Sequence, residues 1–367
     1  MNNIWKPGAT RLECATITPQ PAHGAFDRVL RPLAVGACLL MGCAGDPGPA
    51  PIVTAAGSPI CSVVGPSVPS CGRWWGEALD TGKGSLVSAV DRAQASLGRR
   101  LDIVHTYHRW DDLFPTAGER ALAQDGHLLL IGWKPITRAG RPVSWASIAA
   151  GGQDNIVRTV ARRLRALDVP VLLSFSYEPE RLIGTNGTPT QFAAAFRHIH
   201  DVMARAGATN VRWVWTVIGL TSRHWQRTYL QLWPGQKYVD WIGWDPYNWA
   251  SCRKTSWSSF RQMVQPFYRW ITNQDLGNKP LMLAEYGTVE STDDPGRKGL
   301  WFSAEAQALE SFPRLLALVY FNLPSPPASC DWQSTTSPTS ESDFGSLARS
   351  APFEPTQSLN PVAVPGT

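Results

Sequence analysis

Two glutamates stand where acid–base chemistry could be done. The apolar run Val-Pro-Val-Leu-Leu-Ser-Phe-Ser-Tyr ends in Glu178, within Ser176-Tyr177-Glu178-Pro179-Glu180. A second run, Pro-Leu-Met-Leu-Ala, ends in Glu285, within Ala284-Glu285-Tyr286-Gly287. A carboxylate directly after a buried apolar strand is costly unless partners compensate it. Either Glu alone reads equally well as a cap of the following helix. Brought to one mouth, the pair has the make-up of a site that cleaves glycosidic bonds. One carboxyl protonates the leaving oxygen while the other attacks or directs water, and a separation of about 5–5.5 Å gives retention of configuration. Trp is the compositional outlier at 17 residues, and many Trp fall near run ends. A flat apolar face with a polar edge suits a sugar ring as well as a core.

The elements that would position the pair are legible. Short apolar runs come at 73–79, 101–107, 128–133, 170–177, 211–218, 239–244, 280–284 and 315–321. Helix-like segments at 87–97, 117–124, 155–166, 189–206, 260–272 and 303–312 separate most of them. The stretch between the fifth and sixth runs is short and weakly patterned, and a ninth element follows at 344–350. Strands alternating with helices predict a parallel α/β sheet, and eight is the number that closes a (β/α)8 TIM barrel. An open doubly wound sheet is the alternative, but Gly82-Lys83-Gly84 lacks its dinucleotide fingerprint. In a closed barrel the chemistry sits at the C-terminal strand ends, where Glu178 and Glu285 fall after the fourth and seventh runs.

The 367 residues suit one barrel with a leader and a tail. Arg28 and Arg31 precede an apolar run closed by Leu40-Met41-Gly42-Cys43. That order reads as a secretory signal over 1–43 with Cys43 as a lipidated first residue, the form of a bacterial lipoprotein leader. The run is too short to span a bilayer as a helix. Residues 44–70, rich in Pro, Gly, Ser and Ala, read as a linker, 71–353 as the single catalytic domain, and the Pro-rich 354–367 as a disordered tail. Of the seven Cys, Cys14, Cys38 and Cys43 fall in the leader, leaving Cys61, Cys71, Cys252 and Cys330 as an even set for an oxidising compartment. Three pairings are open; Cys61–Cys71 and Cys252–Cys330 is preferred because the last two lie in loops expected on one barrel face. No Cys or His near these four has zinc-ligand spacing, so zinc is not expected; no metal and no cofactor is expected. The net charge of +5 comes from scattered Arg in helix-like stretches. It reads as solvated faces, not a nucleic-acid footprint, and a monomer is expected.

The pattern resembles glycoside hydrolase family 26. The resemblance rests on Trp75-Gly76, Tyr107-His108-Arg109-Trp110, Gly132-Trp133-Lys134-Pro135, Tyr177-Glu178-Pro179-Glu180 and Trp213-Val214-Trp215. Its two specific blocks are Tyr238-Val239-Asp240-Trp241-Ile242-Gly243-Trp244-Asp245-Pro246-Tyr247-Asn248 and Lys279-Pro280-Leu281-Met282-Leu283-Ala284-Glu285-Tyr286-Gly287. The resemblance implies a retaining enzyme on β-mannan or a related β-glycan, with Glu178 as acid/base and Glu285 as nucleophile. It implies that Tyr247 hydrogen-bonds the nucleophile and that Trp133, Trp215, Trp244, Tyr320 and Phe321 line the sugar cleft. His105 and His108 read either as contacts to substrate hydroxyls or as structural residues, and Asp111, Asp112 and Asp245 as loop and cap residues. The sequence departs from the family at Tyr177, where His is usual. A phenol stays neutral until about pH 10, so Glu178 is expected to be tuned without a neighbouring cation and Tyr177 to act on the sugar. The competing reading is a non-catalytic carbohydrate-binding lipoprotein on the same barrel, and the presence of both carboxylates counts against it.

Overall fold

The computed structural model describes residues 63–65, 67–82, 84–325 and 330–353. The eight apolar runs form eight parallel strands: β1 (Trp74–Leu79), β2 (Ile103–Arg109), β3 (Leu128–Lys134), β4 (Val171–Phe175), β5 (Val211–Val217), β6 (Trp241–Trp244), β7 (Leu281–Thr288) and β8 (Leu315–Asn322). They pair in chain order, and β8 returns to β1 with Leu318 opposite Trp75 and Asn322 opposite Leu79. The sheet is therefore a closed (β/α)8 barrel.

The helices are α1 (Leu86–Leu97), α2 (Ala117–Gln124), α3 (Trp145–Ala149), α4 (Asp154–Arg165), α5 (Pro189–Arg205), α6 (Arg223–Leu232), α7 (Ala250–Arg253), α8 (Phe260–Thr272), α9 (Arg297–Ala308) and α10 (Pro338–Ala348). Caps explain several boundaries. Thr116 and Ser259 close capping boxes at the starts of α2 and α8, satisfying amides that the helix itself leaves unpaired. The weakly patterned stretch after β5 is helical all the same: Ser222 caps α6, which buries Thr228, Tyr229 and Leu232. In α4, Val157, Val160, Ala161 and Leu164 are buried, and Arg162 and Arg165 lie on its outer side.

Strand alternation sorts the core into two layers. Trp74, Ile103, Leu128, Leu130, Leu172, Val214, Trp241, Met282, Ala317 and Val319 fill the barrel interior. Their neighbours Trp75, Val104, Leu129, Leu173, Trp215, Ile242, Leu283 and Leu318 face the helices. Strand β6 stops at Trp244, since Pro246 has no amide to donate. The chain resumes pairing at Tyr247–Asn248, alongside Gly287 and Thr288 of β7.

Cys252 in α7 and Cys330 after β8 are bridged, with Cα atoms 5.0 Å apart. Cys71 is also disulfide-bonded; Cys61 lies outside the described residues, as do the leader with Cys43 and the tail. The last part of the expected linker pairs as a hairpin, Val63–Val64 against Val68–Pro69. Among the described residues no helix is long and apolar enough to cross a membrane.

Candidate active site

Glu285 does not end its strand, as the sequence suggests; β7 continues to Thr288. Leu283 pairs with Leu318 but Tyr286 pairs with Tyr320, so three steps on β7 match two on β8. The extra residue is a bulge. Leu283 and Tyr286 both face the helices, and Ala284 with Glu285 turns inward between them. The Glu285 side chain is 8% exposed. Tyr247 Oη donates to Glu285 Oε2 at 2.7 Å, and the Tyr107 hydroxyl also bonds this carboxylate. The Glu285 amide donates to Asp245 Oδ1 at 3.0 Å.

Glu178 lies three residues beyond β4. Ser176 and Glu178 both adopt left-handed backbone, with φ of 51° and 50°. The Glu178 amide donates to the Thr216 carbonyl of β5 at 3.2 Å, which pins the turn to the barrel rim. Its carboxylate pairs with Arg181, Nε to Oε2 2.5 Å. Lys134, at the end of β3, lies 4.6 Å over the Tyr177 ring and feels the charges of Glu178 and Glu285. Gly132 makes room for this arrangement: a Cβ there would meet the Tyr177 ring at 3.0 Å and the Tyr107 ring at 3.2 Å. The expectation that Glu178 has no cationic neighbour is therefore overturned. Arg181 supplies one directly and Lys134 another nearby.

Burial raises the Glu285 pKa to about 7, with the Glu178 charge adding to the rise; Tyr247, Tyr107 and Lys134 oppose it. Asp245 is not a loop cap. It is 3% exposed, and burial beside Glu285 and Glu178 holds its carboxyl far above the usual range. Glu180 is pushed to about 8 by burial while accepting from the Ile218 amide. His105 is buried and held down to about 3, so it is a neutral ring, 3.2 Å from the Tyr107 hydroxyl.

Four aromatics expected along the cleft are packed away from it. Trp133, Trp215, Trp244 and Tyr320 have no exposed surface, because alternation turns them toward the helices. Trp133 stacks on Trp110, Trp215 meets Tyr229 and Trp233, Trp244 meets Phe267, and Tyr320 meets Phe344. His108 is likewise structural, bonded to Glu119 at 2.7 Å and stacked on Phe114. The opposite parity brings Tyr107 and Phe321 inward. Tyr107 approaches Tyr177 and Phe321, and Tyr247 approaches Phe321, Trp249 and Trp332. These rings, all half-buried except the fully buried Trp332, wall the two carboxylates, and the Cys252–Cys330 bridge lies in the apolar cluster beneath them. Sequence reasoning passed over Lys134, Arg181, Tyr107 and Asp245. Counting alternate residues from the interior strand positions would have found Tyr107 and Lys134.

No protein-family model matches the chain. Solved structures do. A GH26 β-mannanase of Bacteroides ovatus superposes with TM-score 0.58 at 18% identity, over 77% of this chain and 90% of that one. The fold is that of the family 26 hydrolases. The catalytic domain of a GH26 endo-β-1,4-mannanase from Bacillus sp. JAMB-750 gives TM-score 0.56 at 15% identity, over 77% and 86%. Among curated proteins, Endoglucanase H of Acetivibrio thermocellus is 29% identical over 271 residues, 68% of this chain. The chain spans about 28% of that relative's length.

Proposed function

We propose that this protein is a retaining glycoside hydrolase that cleaves a β-linked polysaccharide, a β-mannan or related β-glycan, by double displacement. The carrying observation is the inward-turned, buried Glu285, held by Tyr247 and Tyr107 and electrostatically linked to Glu178 across the barrel mouth. In the first step the Glu178 carboxyl gives its proton to the glycosidic oxygen as a Glu285 oxygen bonds the anomeric carbon and the leaving chain departs. In the second, Glu178 takes a proton from water, whose oxygen displaces Glu285. Tyr247 fixes one Glu285 oxygen, Oε2, and leaves the other to attack. The names of the similar mannanases and endoglucanase support a β-glycan substrate. The Cys252–Cys330 bridge supports an oxidising, exported location. Within this reading the chain is anchored through Cys43, held off the membrane by residues 44–62, and acts as a monomer.

The test is a panel of β-mannans and β-glucans read by product chromatography, with the anomeric configuration of the first product followed by NMR. Glu285→Ala should lose nearly all turnover, and azide should partly restore it as a glycosyl azide of inverted configuration. Normal turnover by Glu285→Ala refutes the assignment.

A further inference from the structure

One charged group at the mouth serves neither carboxylate. Arg253 ends the short helix α7, and its guanidinium lies flat over the Trp249 ring, 3.3 Å from the centroid. It is exposed. Among the described residues its guanidinium has no ion pair or hydrogen bond, although Arg181 and Glu178 are close enough to act on it electrostatically. Glu178 already has Arg181 as its partner. A second cation beside Arg181 is therefore placed against like charge. Nothing in a neutral mannan or glucan would offset that.

The placement is also firm. Trp249 packs on Tyr247 and Trp332, and the residue before Arg253 is tied to Cys330. A guanidinium stacked on an aromatic face keeps its edge free, and that edge matches a carboxylate bidentately.

We propose that Arg253, on its Trp249 platform, is a subsite for a carboxylate-bearing sugar unit bound beside Glu178, so that the substrate is an acidic β-glycan containing uronic-acid residues. This rests on the hydrolase reading above and deepens it. The ring holds the guanidinium in place, and the guanidinium edge reads the C6 carboxylate of the bound unit. Neighbouring Arg181 adds to the local positive field. Asp245 and Glu180, with carboxyls that burial favours in neutral form, do not cancel it.

The test separates binding from turnover. Glu285→Gln, made to stop hydrolysis, is titrated calorimetrically with hexasaccharides of β-1,4-glucan and β-1,4-mannan and with the same chains oxidised at C6 to uronates. The oxidised chains of at least one series should bind about tenfold more tightly. That preference should collapse when salt is raised to about 0.5 M and in the double variant Glu285→Gln/Arg253→Met, which keeps an apolar stem over Trp249. Equal affinity for neutral and oxidised chains, or a preference that survives Arg253→Met, overturns the proposal. The wild-type protein is assayed on the same chains. Turnover without charge preference sinks this inference alone, preference without turnover sinks the hydrolase reading alone, and neither binding nor turnover sinks both.

Discussion

Removing the Tyr247 hydroxyl gives the sharpest test of how the site is tuned. Tyr247 Oη donates to Glu285 Oε2 at 2.7 Å in a buried setting, and a hydrogen bond to a charged group contributes about 1.5–3 kcal/mol. Tyr247→Phe keeps the ring that packs on Trp332 and deletes only the donor. The bond favours ionised Glu285, so its loss disfavours the anion and raises the pKa. At 1.36 kcal/mol per pH unit, the rise is about one to two units. Glu285 starts at about 7, where half the population is ionised. A nucleophile must be ionised, so activity at pH 7 should fall about 5- to 50-fold from ionisation alone, and the acidic limb of kcat/KM should move to higher pH by the same one to two units. Because Glu178 and Glu285 interact, the measured limb belongs to the pair, yet its direction is fixed. The assay is a pH profile of kcat/KM between about pH 4 and 10. An unmoved limb, or one displaced to lower pH, refutes the argument that this hydroxyl stabilises the Glu285 anion.

Three further outcomes follow from the same geometry. Glu180 has a raised pKa in the fold, so the folded state holds a proton that the unfolded chain releases above about pH 4.3. Stability is therefore lost as pH rises from there to about 8, and Glu180→Gln should raise Tm at pH 8 but not at pH 4, checked by calorimetry. Gly132→Ala forces the Tyr177 and Tyr107 rings to shift and should cost about tenfold or more in kcat/KM while near-UV circular dichroism stays native; unchanged kinetics would show that the rings yield freely. The double Ser variant of Cys252 and Cys330 opens a loop of 78 residues and should lower stability by up to about 4.5 kcal/mol on a chain-entropy account, measured by urea unfolding.

The barrel was readable because eight buried parallel strands must be near-continuous apolar runs, and α2 and α8 were readable to the residue because their caps are local. The two glutamates stood out for the same reason: a charge at the end of an apolar run is conspicuous. The wall of the site did not stand out. An aromatic at the end of a strand faces the mouth or the helices according to parity, so Trp133, Trp215, Trp244 and Tyr320 looked like cleft residues and are core. Glu285 itself faces inward only through a bulge that no residue type announces. Arg181 and Arg253 are surface-type residues whose roles come from which loop folds beside which.

The turn carrying Glu178 has a consequence for protein engineering. Ser176 and Glu178 hold left-handed backbone, which costs an ordinary side chain roughly 1–2 kcal/mol each and costs glycine little. A library of variants screened only for heat tolerance should therefore drift toward Gly or Asn at these two codons. The most thermostable clones would be enriched in chains that have discarded the carboxyl proposed as acid/base. Screening of this barrel has to couple survival at temperature to turnover in every round.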